Sequence, residues 1–377
     1  MKKLITALLA STMLIVCSAY AAGTFDDALK VYDAGNYKQA LILFKRLALK
    51  GDSAAQHNLG YMYENAQGVK QDFTLAVKWY KSAAVQGNEN AQNNLGKMFT
   101  KGEGVKIDYS EALKWFKLAA AQGNESAQYN LGIIYDNGQG VVQDYSEAVK
   151  WYKLAAAQGN ESAQYNLGFM YSNGLGVVQD YAEAVKNFKL AAAQGNESAQ
   201  YNLGIIYDNG QGVVQDYSEA VKWFKLAAAQ GFAMAQLNLG AGYAAGQGVM
   251  QDYSEAVKWF KLAAAQGNVM AQYNLGNMYG NGQGVVQDYS EAVKWYKLAA
   301  AQGYISAQYN LGYMYSNGQG VVQNYALAYM WYNLASISGS KDAVNNRDIT
   351  ARKMTQEQIA QAQKLAQDCL AKNYKGC

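Results

Sequence analysis

Asn124–Gly159 reads NESAQYNLGIIYDNGQGVVQDYSEAVKWYKLAAAQG, and Asn196–Gly231 repeats it almost unchanged. Six more copies are recognisable, and the eight start at Asp52, Asn88, Asn124, Asn160, Asn196, Phe232, Asn268 and Tyr304. The period is 36 residues with no insertion. A fixed period of this size marks a solenoid, in which each unit buries its apolar face only by stacking on its neighbours.

One copy suffices to place the elements. Asn124 caps a first helix over 125–136. Ala127, Leu131, Ile134 and Tyr135 share one face of it. Gly132 sits in mid-helix, where glycine costs about 1 kcal/mol relative to alanine. Its return in every copy predicts a close approach between helices. Gly138 ends the helix as a left-handed C-cap, and Val141 and Val142 cross the gap. Asp144 opens the second helix, and Glu147, three residues on, completes a capping box. Ala148, Trp151, Tyr152, Ala155 and Ala156 form its buried stripe, with Lys150 and Lys153 off it. Gly159 closes the unit. All seven tryptophans fall on the Trp151 position, which predicts a packing ladder; Asn187 is the one exception and predicts a weaker seam.

Ala127, Leu131-Gly132, Tyr135, Gly138-x-Gly140-Val141, Asp144, Ala148, Trp151, Ala155-Ala156 and Gly159 resemble the Sel1-like repeat, a relative of the tetratricopeptide repeat. The likeness covers 52–339, or 288 of 377 residues. It implies an all-α, right-handed α/α solenoid that binds other proteins and holds complexes together. It also implies, for exported bacterial members, roles in envelope signalling, host contact and virulence. Cysteine-rich relatives that bind or slowly hydrolyse β-lactams look as if they carry a disulfide in each repeat. No repeat here contains cysteine.

The ends of the chain read differently. Residues 1–21 form an export leader: basic Lys2 and Lys3, an apolar run over Leu4–Val16 too short for a usual membrane span, and Ala19-Tyr20-Ala21 as the cleavage pattern. Lipoprotein processing at Cys17 is the rival, disfavoured because Val16 is not small. The mature chain is expected to be periplasmic or secreted, without a membrane-spanning segment. Residues 22–51 read as a shortened capping half-repeat, with a helix near 39–49 and a short one before it. The second helix of the eighth copy loses its charges at Leu327, Met330 and Asn333, so the C-terminal residues should cover it. Within 340–377, 345–354 reads as a polar connector, with partial helix as an option. Thr355 with Gln358 opens a capping helix running to about Ala371. Cys369 and Cys377, eight apart, read as a local disulfide in an oxidising compartment, with two free thiols as the alternative.

Candidate binding positions are those that vary between copies while the frame stays constant. Three of them share one face of the first helix. The set comprises Tyr129, Ile133, Asp136, Tyr165, Phe169, Tyr201, Ile205, Asp208, Leu237, Tyr273, Tyr309 and Tyr313. In tetratricopeptide-like stacks such a face lines the concave groove. Tyrosine there suits protein recognition, although the rings are equally able to serve as packing between units. The sixth copy, with Phe232, Met234, Leu237, Ala241 and Ala244, reads as a drifted unit, or else as a hydrophobic contact patch.

Catalytic chemistry finds little support. His57 is the sole histidine, so neither a histidine-based triad nor a multi-histidine metal site can be built. Gly-Gln-Gly-Val lacks the strand and Lys-Ser/Thr of a phosphate loop. The net charge of +3, falling to +1 without Lys2 and Lys3, argues against bulk attraction to nucleic acid. The expectation is a non-enzymatic, monomeric protein-interaction scaffold with no cofactor. The alternative is a cell-wall-directed protein that binds or cleaves peptidoglycan or β-lactams.

Overall fold

The computed structural model describes residues 23–337, 339–374, 376 and 377. The leader over 1–21 and Cys17 lie outside these. Among the described residues there are twenty helices and no strand. α1 (Phe25–Asp33) and α2 (Tyr37–Leu49) come first. The next hairpins pair α3 (Ser53–Glu64) with α4 (Phe73–Ala84), α5 (Glu89–Lys101) with α6 (Tyr109–Ala121), and α7 (Glu125–Asn137) with α8 (Tyr145–Ala157). α9 (Glu161–Asn173), α10 (Tyr181–Ala193), α11 (Glu197–Asn209), α12 (Tyr217–Ala229), α13 (Ala233–Ala245) and α14 (Tyr253–Ala265) continue the alternation. α15 (Val269–Asn281), α16 (Tyr289–Ala300), α17 (Ile305–Asn317) and α18 (Tyr325–Ile337) complete the eight copies, and α19 (Lys341–Ala351) and α20 (Gln356–Ala371) end the chain. Consecutive helices pack on one another, giving an all-α solenoid of helical repeats. Two compact units, Met1–Asn187 and Phe188–Cys377, divide the chain inside α10.

The caps explain where the helices start. Asn124 Oδ1 accepts from Ala127 N at 2.9 Å, and Asp144 Oδ1 from Glu147 N at 3.0 Å. The capping box expected of Glu147 does not form. Asp144 N–H already donates to Tyr135 O of the first helix at 2.9 Å, so the carboxylate has no donor to reach back for. Glu147 instead accepts from Lys150 at 2.7 Å. Gly138 does take the left-handed C-cap, at φ 67°. The second glycine of the loop serves a different contact. A Cβ on Gly176 would stand 2.3 Å from the carbonyl carbon of Tyr145, at the start of the preceding second helix.

The core corrects the sequence reading at one position. Trp151 and Ala156 are only half-buried, and the fully buried aromatic is the next residue, Tyr152. Tyr152 lies flat on Gly132, where an added Cβ would meet its ring at 2.4 Å; Gly96 meets Phe116 and Gly276 meets Tyr296 in the same way. The mid-helix glycine is therefore the floor on which the buried ring rests. Trp151 reaches sideways, onto the cluster of Ala112, Phe116 and Ala119 from α6 with Leu131 and Ile134 from α7. The tryptophans thus staple a second helix to the preceding hairpin, while the Tyr/Phe beside them fills the hairpin itself.

Buried glutamines join the repeats by hydrogen bonds. Gln128, 6 % exposed, donates to Ala120 O at the end of the preceding second helix and accepts from Gln158 at 2.8 Å. Lys153, off the buried stripe, stands 5.4 Å from the Tyr171 ring centroid of the next copy, within cation–π range.

At the C-terminus α19, capped by Ser340 Oγ, takes in 345–351 of the connector read over 345–354. In the 36-residue register α19 is one more first helix: Ala343 falls on the Ala163 position and is fully buried, and Asn346 falls on that of Asn166. α19 and α20 both pack on α18 and cover Met330, Trp331 and Leu334. Thr355 and Gln358 form the capping box of α20. Cys369 and Cys377 are joined in a disulfide, with Cα atoms 5.6 Å apart.

Candidate protein-binding face

The variable positions on the first helices fall into three rows with different environments. The first row (His57, Asn93, Tyr129, Tyr165, Tyr201, Leu237, Tyr273, Tyr309) is half-buried or buried. Its rings lean on the core aromatic of their own hairpin: Tyr129 on Tyr152 at 6.0 Å, Tyr201 on Phe224 at 6.0 Å, Tyr273 on Tyr296 at 5.9 Å and Tyr309 on Tyr332 at 5.6 Å between centroids. Two carry a second ring, Phe232 on Tyr201 at 5.1 Å and Tyr304 on Tyr273 at 5.0 Å. These aromatics stand at helix starts that have no side-chain cap, so stacking takes the place of the missing asparagine.

An asparagine of the next first helix also ties down this row. Asn94 bonds His57 at 3.2 Å, Asn130 donates to Asn93 at 2.9 Å, and Asn346 donates to Tyr309 Oη at 2.7 Å. Each pair is 37 residues apart, one repeat plus one residue. Burial lowers the His57 pKa, which keeps the ring neutral. In this row packing within the hairpin and bonds to the next unit hold the side chains in place.

The second row faces outward. Phe169 is 44 % exposed and Tyr313 48 %, and Tyr61 and Ala241 are also exposed; Ile133, Ile205 and Asn277 are half-buried. Exposed aromatics of this size are the usual anchors of a protein contact.

The third row holds the acids. Asp136 accepts from Tyr152 Oη at 3.1 Å and Glu64 accepts from Tyr80 Oη. Asp208 has no such donor, because Phe224 stands where Tyr152 does, the single difference between the two near-identical copies. Burial pushes the carboxyls of Asp136 and Asp208 above the usual range; the Tyr152 hydroxyl opposes this at Asp136 alone. Burial raises Tyr296 to about 12 in the same environment.

Two clefts open beside these rows in the C-terminal unit. One, of about 360 Å³, is lined by Ala241, Ala244, Phe260, Asn274, Asn277 and Met278 among others. The other, of about 340 Å³, includes Asn277, Gly280, Tyr296, Asn310 and Tyr313. Among the described residues no three His, Cys, Asp or Glu side chains converge as metal ligands, and no helix is long and apolar enough to cross a membrane.

Known proteins carry the same architecture. A model of the Sel1 repeat matches 19–52, 53–88, 90–124, 125–160, 161–196, 197–232, 233–268, 269–304 and 305–340. The first stretch extends the pattern by a unit over the segment read as a half-repeat. A crystal structure of a protective antigen present in uropathogenic Escherichia coli strains, displaying an SLR fold, is 33% identical with a TM-score of 0.57. The alignment covers 93% of this chain and 86% of that one. A Sel1 repeat protein from Oxalobacter formigenes is 33% identical with a TM-score of 0.62, over 80% and 88% of the chains. The ERAD-associated E3 ubiquitin-protein ligase component HRD3 of Candida glabrata is 41% identical over 66 residues, 16% of this chain. This chain covers only 8% of that relative's length. The Sel1 repeat fold is a scaffold for protein–protein interaction and its members are generally non-enzymatic. With nine matched repeats spanning most of its length, the chain belongs to the Sel1 repeat family.

Proposed function

We propose that this chain is an exported, monomeric, non-enzymatic scaffold that captures a protein partner along the outward rows of its first helices. The observation that carries the reading is the contrast between rows. The first row packs Tyr129, Tyr201 and Tyr309 against neighbouring rings, whereas the second row leaves Phe169 and Tyr313 nearly half exposed. Large apolar groups left in water at recurrent positions of the helical repeats suit recognition rather than folding. The leader over 1–21 supports a periplasmic or secreted location. The likeness to a protective antigen of uropathogenic Escherichia coli supports contact with host molecules.

The test is affinity capture by the mature chain from bacterial envelope and from host lysate in parallel, comparing wild type with Phe169→Ala/Tyr313→Ala. Tyr201 is left intact because its ring packs between Phe224 and Phe232. The reading expects specific proteins that disappear with the double variant while the thermal midpoint holds. Undiminished capture by that variant removes this face from the account.

A further inference from the structure

The sixth copy reads as drift in sequence, yet its frame is intact. Gln236, Leu239 and Gly240 remain buried, and Gly240 still receives the ring of Phe260. What changes is one side of α13. Leu237 stands where neighbours have Tyr201 and Tyr273, Ala241 where they have Ile205 and Asn277, and Ala244 where the fifth copy has Asp208. The result is the 360 Å³ cleft between α13, α14 and α15.

That cleft holds amides with unused hydrogen-bonding groups. Asn274 occupies the position from which Asn94, Asn130 and Asn346 reach back to the preceding copy. Its counterpart there is Leu237, which offers no polar atom, and the Asn274 amide is left without a partner. Asn277 accepts from Tyr296 Oη at 2.7 Å, and its own N–H groups are unused. Beneath these amides lie Phe260, Met278 and Ala241, Ala244 and Ala245, and no carboxylate or ammonium lines the space.

We infer that this cleft seats one bulky apolar side chain of an extended, uncharged peptide segment, with Asn274 and Asn277 bonding the peptide backbone on either side. The inference rests on the scaffold reading above. The Asn274 amide donates and accepts at once, which matches a peptide unit, while Asn277, its oxygen taken by Tyr296 and Asn310, supplies N–H donors. A neutral lining gives no compensation for a buried charge on the ligand, so lysine or aspartate is refused. The volume lies at the small end of ligand pockets, enough for a leucine or phenylalanine side chain and adjoining backbone. A glycan fits less well. Sugars stack on open aromatic faces, and of the two aromatics that line the cleft Phe260 is only 2 % exposed and Tyr253 is half-buried.

The whole chain, labelled with 15N-asparagine, is titrated with the blocked peptide Ac-Ala-Phe-Ala-NH2. Ac-Ala-Lys-Ala-NH2 and chitobiose serve as the charged and glycan probes. The phenylalanine peptide should shift the side-chain resonances of Asn274 and Asn277 saturably, and the lysine peptide should bind about tenfold more weakly or less. Ala241→Ile/Ala244→Asp installs the residues of the fifth copy, which this backbone already accepts, and should abolish the response. Leu237→Tyr, which returns a hydroxyl to Asn274, should weaken it several-fold. Silent asparagine resonances, a response unchanged in the double variant, or a stronger shift with chitobiose would overturn the assignment. If the peptide fails while proteins are still captured through Phe169 and Tyr313, the cleft alone is refuted. If capture fails as well, the scaffold reading goes with it.

Discussion

Tyr152 and Phe224 occupy one place in two otherwise identical copies, and a single hydroxyl distinguishes the surroundings of the acids beside them. Asp136 has a donor and Asp208 does not, and burial raises both carboxyls. An acid raised by folding favours the fold while protonated. That contribution is present below the unfolded value near 4 and is lost as pH rises through the raised folded value. Asp208→Asn should leave the thermal midpoint unchanged near pH 3 and raise it slightly at pH 7, with a smaller gain for Asp136→Asn. A lower midpoint at pH 7 would show that Asp208 has a partner. Two glycines of α13 make a sharper contrast. A Cβ on Gly240 would meet the Phe260 ring at 2.7 Å, whereas on Gly242 its nearest neighbour is Gln247 O at 3.4 Å. Gly242→Ala should therefore stabilise by about 1 kcal/mol, and Gly240→Ala destabilise by about 1–3 kcal/mol. Urea unfolding checks both, and equal effects would contradict the packing described. The recurrence of Gly132 made this close approach legible in the sequence. That the ring belongs to Tyr152 rather than Trp151 was not legible, because both residues lie on the same helix stripe and only the direction of the neighbouring hairpin separates them.

Each hairpin is held at its ends by caps and along its side by the indole of the next second helix. Asn187 lacks that indole; it is buried and its amide turns back to Glu183 O at 2.8 Å. Asn187→Trp should raise the thermal midpoint, and an unchanged or lower one would deny the tryptophans their stapling role. The last hairpin depends on different elements. Met330, Trp331 and Leu334 of α18 are at most 3 % exposed under α19 and α20. Burial of such side chains contributes about 1.5–3 kcal/mol each. Deleting 341–377 should abolish amide protection in α17 and α18 and leave that of α3–α6 unchanged; retained protection would mean the C-terminal helices are ornamental. The need for this cover was legible in the lost charges of Leu327, Met330 and Asn333. The identity of α19 was missed because Leu-Gly and Tyr, the loudest letters of the repeat, are absent there. Ala343 and Asn346 in the 36-residue register were the remaining signal.

For the chain as a whole, the fold was legible because a constant period admits one architecture, and the copies differ too little to suggest another. The binding face was legible only in part. Variation between copies located the right helix, but contacts spanning 37 residues determine which rows are spent on packing, and a period of 36 does not display them. The central claim is that partners meet the outward row of first helices. Photo-crosslinking tests it directly, with p-benzoylphenylalanine placed at Phe169, at Tyr313 and, on the second-helix row, at Lys150, and exposure to the same envelope and host extracts. The account predicts discrete protein adducts from Phe169 and Tyr313 and none from Lys150. Adducts that form equally well from Lys150, or only from it, would contradict it.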